Sequence, residues 1–352
     1  MEQTMKLRSK RLDYLCKELP DYDNHAVYGM VNEDDTIIAV GFIHRVGACM
    51  RTIAGADAGS AGGTRWILYN AVNGQSADVA ALTDGLRLAR GMSYKFAALD
   101  IPIGGGKIVV FGHNIPGWMR TEKGRVVWPA HVQSEILRGI GECILPRTKT
   151  FITAEDMGVN YMMVAELSKY APRGTVAGCA QKLDPSPVTA RGVRMCAQTA
   201  IDWCYGLGMD MRHLPIMIQG VGSVGSAIAK SYWEEGVRNL SISDTVQESL
   251  DLVTAQRPGI IVVDPRHAHA TGAEIFMPCA GGAILNKRTV ADMHYRSHTY
   301  IICGCANNQL ATPDIGQMLH DLGIVWCPDY LVNAGGLIEV TAEMFGRDLE
   351  EM

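Results

Sequence analysis

The chain has 352 residues, 47% of them hydrophobic and 20% charged, with a formal net charge of −5. That balance is typical of a water-soluble globular protein and offers no broad basic face, so a nucleic-acid partner is excluded from the expectations. The length exceeds what one small core fills and predicts two lobes.

The N-terminal stretch MEQTMKLRSKRLDYLCKELP carries charges of both signs. It lacks the apolar run of about 7 to 15 residues that a secretory signal needs, and it is no membrane span. A cytoplasmic location without a membrane partner is expected. Ten cysteines occur singly or as Cys303-Gly-Cys305, with no CxxC pair. In a chain of this size they are expected to be reduced and buried.

Asp34 to Arg45, DDTIIAVGFIHR, reads as a strand, and the small, glycine-rich stretch that follows, IAGADAGSAGGTRW, reads as a loop. Apolar or small residues at 79, 82, 86 and 89 predict a helix over about 76–97, with Lys95 near its C-terminal end. KIVVF is a short buried strand, and PAHVQSEILRGIGECI has the period of another helix. The first lobe is therefore expected to be α/β with a mixed sheet. At DPSPVTARG, residues 184–192, two prolines precede a helical pattern, as at a hinge followed by a helix start. This places the expected domains at 1–186, 187–333 and a C-terminal helix over 334–352. Beyond the hinge, LPIMIQG, LSISD, GIIVVD, AEIFMP, TYIICG and GIVWCP recur with other segments between them. Buried strands joined by crossovers predict a doubly wound parallel sheet of the Rossmann type.

IMIQGVGSVGSAIAK holds Gly220, Gly222 and Gly225 in GxGxxG spacing between an apolar strand and a helix. The first glycine permits a tight turn, the second lets a pyrophosphate approach the backbone, and the third lets helix and strand pack closely. An anion would then meet the N–H groups of Ser223 and Val224 at the helix start. The spacing by itself also fits an ordinary glycine turn. Asp244 ends the next strand, 19 residues past Gly225, where a carboxylate meets ribose hydroxyls and repels a 2′-phosphate. NAD is favoured over NADP, the alternative being that Asp244 is a plain turn residue.

Lys95 and Lys107 lie in GMSYKFAALDIPIGGGK. A lone lysine ordinarily points into solvent, yet both are flanked by small and apolar residues. Two amines in one cleft repel, and the better desolvated has its pKa lowered, so one would hold an anion while the other acts as a base. Asp156, in FITAEDMGVN, would pass protons beside them. Its alternative is a cap for the helix YMMVAELSKY.

GGTRW at 62–66, GMSYK at 91–95, GGGK at 104–107, TAEDMG at 153–158, SPVTARG at 186–192, QGVGSVG at 219–225, PCAGG at 278–282, CANNQL at 305–310 and PDYLVNAGG at 328–336 occur in that order. In this the chain resembles the Glu/Leu/Phe/Val dehydrogenases, most closely the leucine, phenylalanine, valine and tryptophan branch. The resemblance spans about residues 34–345. It implies two domains with an active-site cleft between them and a homo-oligomeric assembly. It also implies reversible, NAD-dependent oxidative deamination of an L-amino acid to a 2-oxo acid and ammonia.

By match to these motifs, Lys95 would bind the substrate carboxylate, Lys107 would activate the attacking water, and Asp156 would shuttle protons. Gly62 and Gly63, with Asn307 and Asn308, would hold substrate and nicotinamide. Thr189, Cys279 and Ala280 fall at cofactor-lining positions. The three glycines before Lys107 would let substrate and nicotinamide reach the backbone. Glutamate dehydrogenases carry a lysine where this chain has Ala61, and a serine where it has Val340. An apolar pocket of Ala61, Ala154, Leu337 and Val340 follows, with Phe96 filling or stacking on it. An apolar or aromatic substrate is expected, because burying such a side chain gains about 1.5–3 kcal/mol whereas a charged one loses several.

No metal is expected: the cysteines of 279, 303, 305 and 327 lack zinc-ligand spacing, and HAHA at 267–270 reads as a solvated loop. Two rivals stand beside the dehydrogenase reading. One is an NAD-dependent imine or 2-oxo-acid reductase that releases no ammonia. The other is a non-catalytic NAD-binding assembly protein.

Overall fold

The computed structural model describes residues 5–23, 25–44, 59–71, 74–101, 103–115, 120–122, 125–148, 151–178 and 184–338. The chain divides into two compact units, the first running to residue 183 and the second beginning at Asp184.

The sheet of the first unit contains β1 (Arg8–Arg11), β2 (His25–Val31), β3 (Ile37–His44), β4 (Ser60–Ile67), β5 (Gly104–Phe111) and β8 (Phe151–Ala154), in the order β1-β2-β3-β5-β4-β8. A separate antiparallel pair, β6 (Arg120–Glu122) and β7 (Arg125–Val127), lies outside it. β3 runs antiparallel to β5, whereas β4 is parallel to both β5 and β8, so the sheet is mixed as expected. One face packs on α1 (Asp13–Cys16) and α2 (Ala77–Ala98) through Val40, Phe42, Val109 and Phe111. The other buries Ile108 and Val110 against α3 (Ala130–Gly139), α4 (Leu145–Thr148) and α5 (Tyr161–Leu167).

α2 starts where the Ser76 hydroxyl accepts from Val79 N, and its chain turns out at Asp100, which has φ +54°. The predicted helix at 129–144 continues to Thr148 through a π-helical turn over Ile140–Ile144. Pro146 explains the turn, since it has no N–H to give to the carbonyl four residues back.

One expectation is corrected here. Residues 60–66, read as loop from their glycines, belong to the buried interior strand β4, paired with β5 and β8. Its glycines mark close approach of neighbouring backbone rather than a break: a Cβ on Gly62 would lie 1.8 Å from Gly106 O. Residues 53–58, the rest of that predicted loop, lie outside the described residues.

The second unit opens with α6 (Ser186–Tyr205) and contains one parallel sheet. Its strands are β9 (Ile216–Gln219), β10 (Leu240–Ser243), β11 (Ile261–Val262), β12 (Ile275–Pro278), β13 (Ile301–Ile302) and β14 (Val325–Trp326), in the order β11-β10-β9-β12-β13-β14. All six predicted apolar runs become strands. Starting in the middle, moving outward one way and then the other, the order is that of a dinucleotide-binding sheet, with the crossover point beside β9. Ile216 and Ile218 face the core under α6, α7 (Ser223–Glu234) and α8 (Gln247–Thr254). Met217, between them, faces the opposite core under α9 (Lys287–Asp292) and α10 (Asp314–Asp321). Helices on both faces explain why these strands read as continuous apolar runs. α11 (Asp329–Val332) and a helical turn over 335–338 follow, within the second unit. The remainder of the predicted C-terminal helix, Glu339 and Val340 included, lies outside the described residues. No helix among the described residues is long and apolar enough to cross a membrane.

Candidate active site

In the first unit the site is built on the carboxyl-terminal half of α2 and the strands beneath it. Lys107 shares a face of β5 with Gly105, Val109 and Phe111, the face that α2 covers. A Cβ on Gly105 would lie 2.0 Å from Ala89 O and 2.4 Å from Ser93 N. Gly105 thus lets β5 press against the α2 backbone, and its N–H donates to the Ser93 hydroxyl at 2.7 Å. A Cβ on Gly106 would strike the Phe151 ring. The reason for these two glycines is strand packing: the room beside them is filled by protein, not left open for substrate or nicotinamide as the sequence pattern implied.

That close packing buries the lysine. Lys107 is 4% exposed, and its Nζ lies 3.0 Å from Asp156 Oδ2. Arg65, 6% exposed, donates from Nε to the same Oδ2 at 2.7 Å and from Nη1 to Asp84 Oδ2 at 3.0 Å. The Tyr69 hydroxyl also donates to Asp84 Oδ2, at 2.7 Å. Two cations and two carboxylates are therefore stacked in one buried cluster, which compensates much of the cost of taking each from water. Burial pushes the Lys107 pKa down, and Arg65 pushes it further down, whereas Asp156 opposes them. Burial would raise the Asp156 carboxyl, but Lys107 and Arg65 outweigh it and hold it far below the usual range. The arrangement favours an ionised Asp156 beside an amine that releases its proton more easily than an exposed lysine does.

Gly63 belongs to the same spot: a Cβ there would sit 2.6 Å from Glu155 O, 2.9 Å from Asp156 Cβ and 3.3 Å from Lys107 Nζ. Ala154 pairs with Gly63 across β8, and Ala61 lies opposite Gly105 and Ile152. Lys95 is half-buried in the last turn of α2. It falls one turn past Met92, whose Cγ is 3.5 Å from the Cβ position of Gly62. Phe96 is wholly buried, on the sheet-facing stripe of α2 with Ala89 and Ser93. The first unit therefore brings together Ala61, Gly62, Gly63, Lys107, Ala154 and Asp156, with Lys95 and Phe96 on the helix above. Asp156 is not a helix cap: α5 is capped by Asn160, whose side chain accepts from Met163 N.

Arg65, Asp84 and Tyr69 were not among the residues singled out from sequence. Arg65 sits inside the motif GGTRW, and the available signal was a charged residue in the middle of an otherwise small and apolar strand.

In the second unit the loop after β9 has the three features its glycines predict. Gly220 has φ +95°, a backbone state that side chains resist. Gly225 approaches Gly220 so closely that a Cβ would lie 1.9 Å from its carbonyl oxygen. Gly222 has nothing within 4 Å of its Cβ position, and it caps α7 without any side-chain hydrogen bond. The backbone at Ser223 and Val224 thus starts a helix beside open space, a cradle suited to an anion. Asp244 follows β10; one carboxylate oxygen accepts from Val221 N at 2.8 Å and the other from Val246 N at 2.9 Å. Each oxygen keeps acceptor capacity for a hydroxyl.

The remaining predicted cofactor residues gather on the carboxyl side of this sheet. Ala280 lies 2.7 Å from the Cβ position of Gly220, and Cys279 N donates to Gln219 O at 2.7 Å. The carbonyls of Asn307 and Asn308 close on Gly282, and Asn308 adopts φ +53°. Asn333 Nδ2 donates to Asn307 Oδ1 at 2.9 Å, and Asn308 N donates to Asp329 Oδ2 at 2.8 Å. Thr189 on α6 packs against Gly335 and Gly336, and Leu337 follows them. Among the described residues no group of three or more His, Cys, Asp or Glu is placed to hold a metal ion.

No family model matches the chain. Leucine dehydrogenase of Geobacillus stearothermophilus is 33% identical over 294 residues, covering 82% of this chain and 72% of that one. L-tryptophan dehydrogenase of Nostoc punctiforme is 33% identical over 281 residues, covering 77% and 71%. The crystal structure of L-tryptophan dehydrogenase from Nostoc punctiforme superposes with a TM-score of 0.64 at 30% identity, covering 97% of this chain and 87% of that one. A hetero-hexameric glutamate dehydrogenase from Thermus thermophilus shares the fold, with a TM-score of 0.63 at 19% identity, covering 98% and 78%. With relatives at 33% identity that the alignments cover to more than two thirds of their length, the chain belongs to the amino-acid dehydrogenase family.

Proposed function

We propose that the protein catalyses the reversible NAD-dependent oxidative deamination of an apolar or aromatic L-amino acid to its 2-oxo acid and ammonia. The observation that carries this reading is the buried Lys107 amine, 3.0 Å from Asp156 and beside Gly63. Bound NAD supplies the acceptor for the hydride that leaves the substrate α-carbon.

Lys95 binds the substrate carboxylate as a charge-assisted anchor. Lys107, its pKa lowered by burial and by Arg65, takes a proton from the water that adds to the α-carbon. Asp156 Oδ2 exchanges protons with Lys107 Nζ and with the substrate nitrogen, and Arg65 keeps that carboxylate ionised and in place. Ala61 and Ala154, and by match to the family motifs Leu337, Val340 and Phe96, would give the substrate side chain apolar surroundings. The backbone at Gly62 and Gly63 and the amide of Asn308 hold the rest of the substrate.

For the cofactor, the N–H groups at Gly222, Ser223 and Val224 would hold the pyrophosphate, and Asp244 the adenosine ribose. Thr189, Cys279, Ala280 and Asn307 would line the nicotinamide end, with Gly220 and Gly225 shaping the turn. A carboxylate at 244 supports NAD rather than NADP. A symmetric homo-oligomer in the cytoplasm completes the reading, its subunit count measurable by light scattering.

The deciding experiment assays NADH formation with a panel of L-amino acids while measuring free ammonia. Turnover with leucine, valine, phenylalanine or tryptophan and equal ammonia is expected. Reduction of a cyclic imine or 2-oxo acid without ammonia would replace this reading with that of a reductase. NAD binding without turnover on any substrate would leave a non-catalytic protein.

A further inference from the structure

The second unit collects four thiols at the carboxyl ends of three neighbouring strands. Cys279 follows β12 directly, Cys303 follows β13, Cys327 follows β14, and Cys305 lies two residues beyond Cys303. Ile302 is in register with Phe276 on one side and Trp326 on the other, so the next residues along β13 and β14, Cys303 and Cys327, are neighbours. Further on, Ala306 N donates to Pro278 O at 2.9 Å, which holds Cys305 alongside Cys279.

The sulfurs meet in two pairs. Cys303 lies beside Cys327, and the Cys279 sulfur accepts from both the thiol and the backbone amide of Cys305. Adjacent strand residues lie about 4.8 Å apart, within the Cα separation a disulfide spans. The two pairs differ in access. Cys303 is fully buried, and its thiol reaches Val193 O at 3.6 Å. Cys279 and Cys305 are both half-buried, and Ala280 beside them is exposed. The hydrogen bonds from Cys305 hold the Cys279 thiol below its ordinary pKa despite burial, which raises its share of reactive thiolate.

We propose that Cys279 and Cys305 form a modification site, closing into an intramolecular disulfide when a small-molecule disulfide reacts with them, and that this closure weakens cofactor binding. The second half rests on the NAD reading above, whereas the first does not. The Cys279 thiolate attacks one sulfur of the oxidant, whose S–S bond breaks and whose leaving sulfur takes up a proton. Cys305, deprotonated in turn, attacks the Cys279 sulfur of the mixed disulfide and releases the second small thiol. The protein loses two electrons and two protons, and the oxidant gains both as two thiols.

Closure draws the two sulfurs from hydrogen-bond distance to about 2.05 Å. The cofactor loop packs closely on this segment. Cys279 Cβ is 3.4 Å from the Cβ position of Gly225, Ala280 is 2.7 Å from that of Gly220, and the Asn307 carbonyl is 2.8 Å from that of Gly282. Cys305 lies on the β13 side of Cys279 and the glycine turn on the β9 side, so moving Cys279 toward Cys305 draws the segment from Cys279 to Gly282 away from the turn it packs on.

The test treats the full chain with oxidised glutathione, maps disulfides by peptide mass spectrometry after acid trapping, and measures NAD affinity by calorimetry. A Cys279–Cys305 link with Cys303 and Cys327 still reduced is expected, together with a fall in NAD affinity of at least about tenfold that dithiothreitol reverses. Cys305→Ser should bind NAD like the reduced protein and keep that affinity after oxidation. Unlinked Cys279 and Cys305 after oxidation would overturn the proposal. So would a linked protein with unchanged NAD affinity, or a loss of affinity that persists in Cys305→Ser. If the reduced protein binds no NAD, the cofactor reading falls and takes the second half with it, while the disulfide map still decides the first.

Discussion

In the first unit, glycines bring protein onto protein: a side chain at Gly105 would run into the α2 backbone at 2.0 Å, and one at Gly63 would reach Asp156 and Lys107. In the second unit, Gly222 has an empty neighbourhood within 4 Å, at the uncapped start of α7. The same residue type, placed after or within an apolar strand in both, does opposite work. One set excludes water around fixed charges, so that an amine is desolvated before any ligand arrives. The other leaves backbone donors facing room that a ligand can fill. A reactive group needs the first environment and an anion-binding cradle the second.

The sharpest way to break this contrast is Lys107→Ala. Turnover should fall by roughly a thousandfold or more, the scale of a lost general base. NAD affinity measured by calorimetry should stay within a factor of about two, because every proposed cofactor contact lies in the second unit. A parallel loss of NAD binding would show that the two functions are not divided in this way.

Glycine replacements separate packing from binding next. Gly105→Ala forces a Cβ into the α2 backbone and should lower stability by about 1–3 kcal/mol, seen as a lower Tm. Gly222→Ala meets nothing in the protein, so its Tm should be unchanged while NAD affinity drops by about tenfold. An equal fall in Tm for both would remove the distinction on which the comparison stands.

Much of this was legible in the chain itself, for identifiable reasons. The six strands of the second unit were readable because helices cover both sheet faces, which makes each strand an apolar run. The loop at Gly220, Gly222 and Gly225 was readable because each glycine answers a separate steric demand at fixed spacing. β4 was misread because its glycines follow from what its neighbours press against it, and those neighbours are residues 104–107 and 151–156, far along the chain. The role of Arg65 was hidden for the same reason: its partners Asp84 and Asp156 lie 19 and 91 residues away. Long-range charge pairing leaves no periodicity to read.

Arg65 also offers a finer test of how the first unit prepares its amine. Its guanidinium lowers the pKa of Lys107 and of Asp156 alike. Arg65→Gln removes that positive charge while keeping a donor near Asp156. The Lys107 pKa should rise, so the acid limb of the kcat/KM profile for deamination should move upward by about one pH unit. Activity at a pH above the new limb should be largely regained. A uniform loss at every pH would assign Arg65 to structure alone.

The smallest predicted effect concerns a buried pair of histidines between the sheet and α2, where His44 Nδ1 meets the Ser93 hydroxyl at 2.8 Å. His25 lies 4.8 Å from His44, ring to ring; its Nε2 meets Leu86 O at 2.9 Å, and Asp23 N donates to its Nδ1 at 3.1 Å. Burial first, and then His44, push its pKa down to about 4; the Leu86 carbonyl opposes them, Arg90 adds to the fall and Asp23 opposes it least. Between that value and the ordinary 6.5 the unfolded chain binds the extra proton, so stability rises with pH across this window. The contribution is fully present above about pH 6.5 and is lost as pH falls, amounting to roughly 1 kcal/mol by about pH 5.5. Urea denaturation should record this decline in the wild type and a flatter profile in His25→Gln, while NAD affinity, if set by the proposed contacts of the second unit, holds steady over the same range. An unchanged slope in His25→Gln would assign the acid sensitivity to another group.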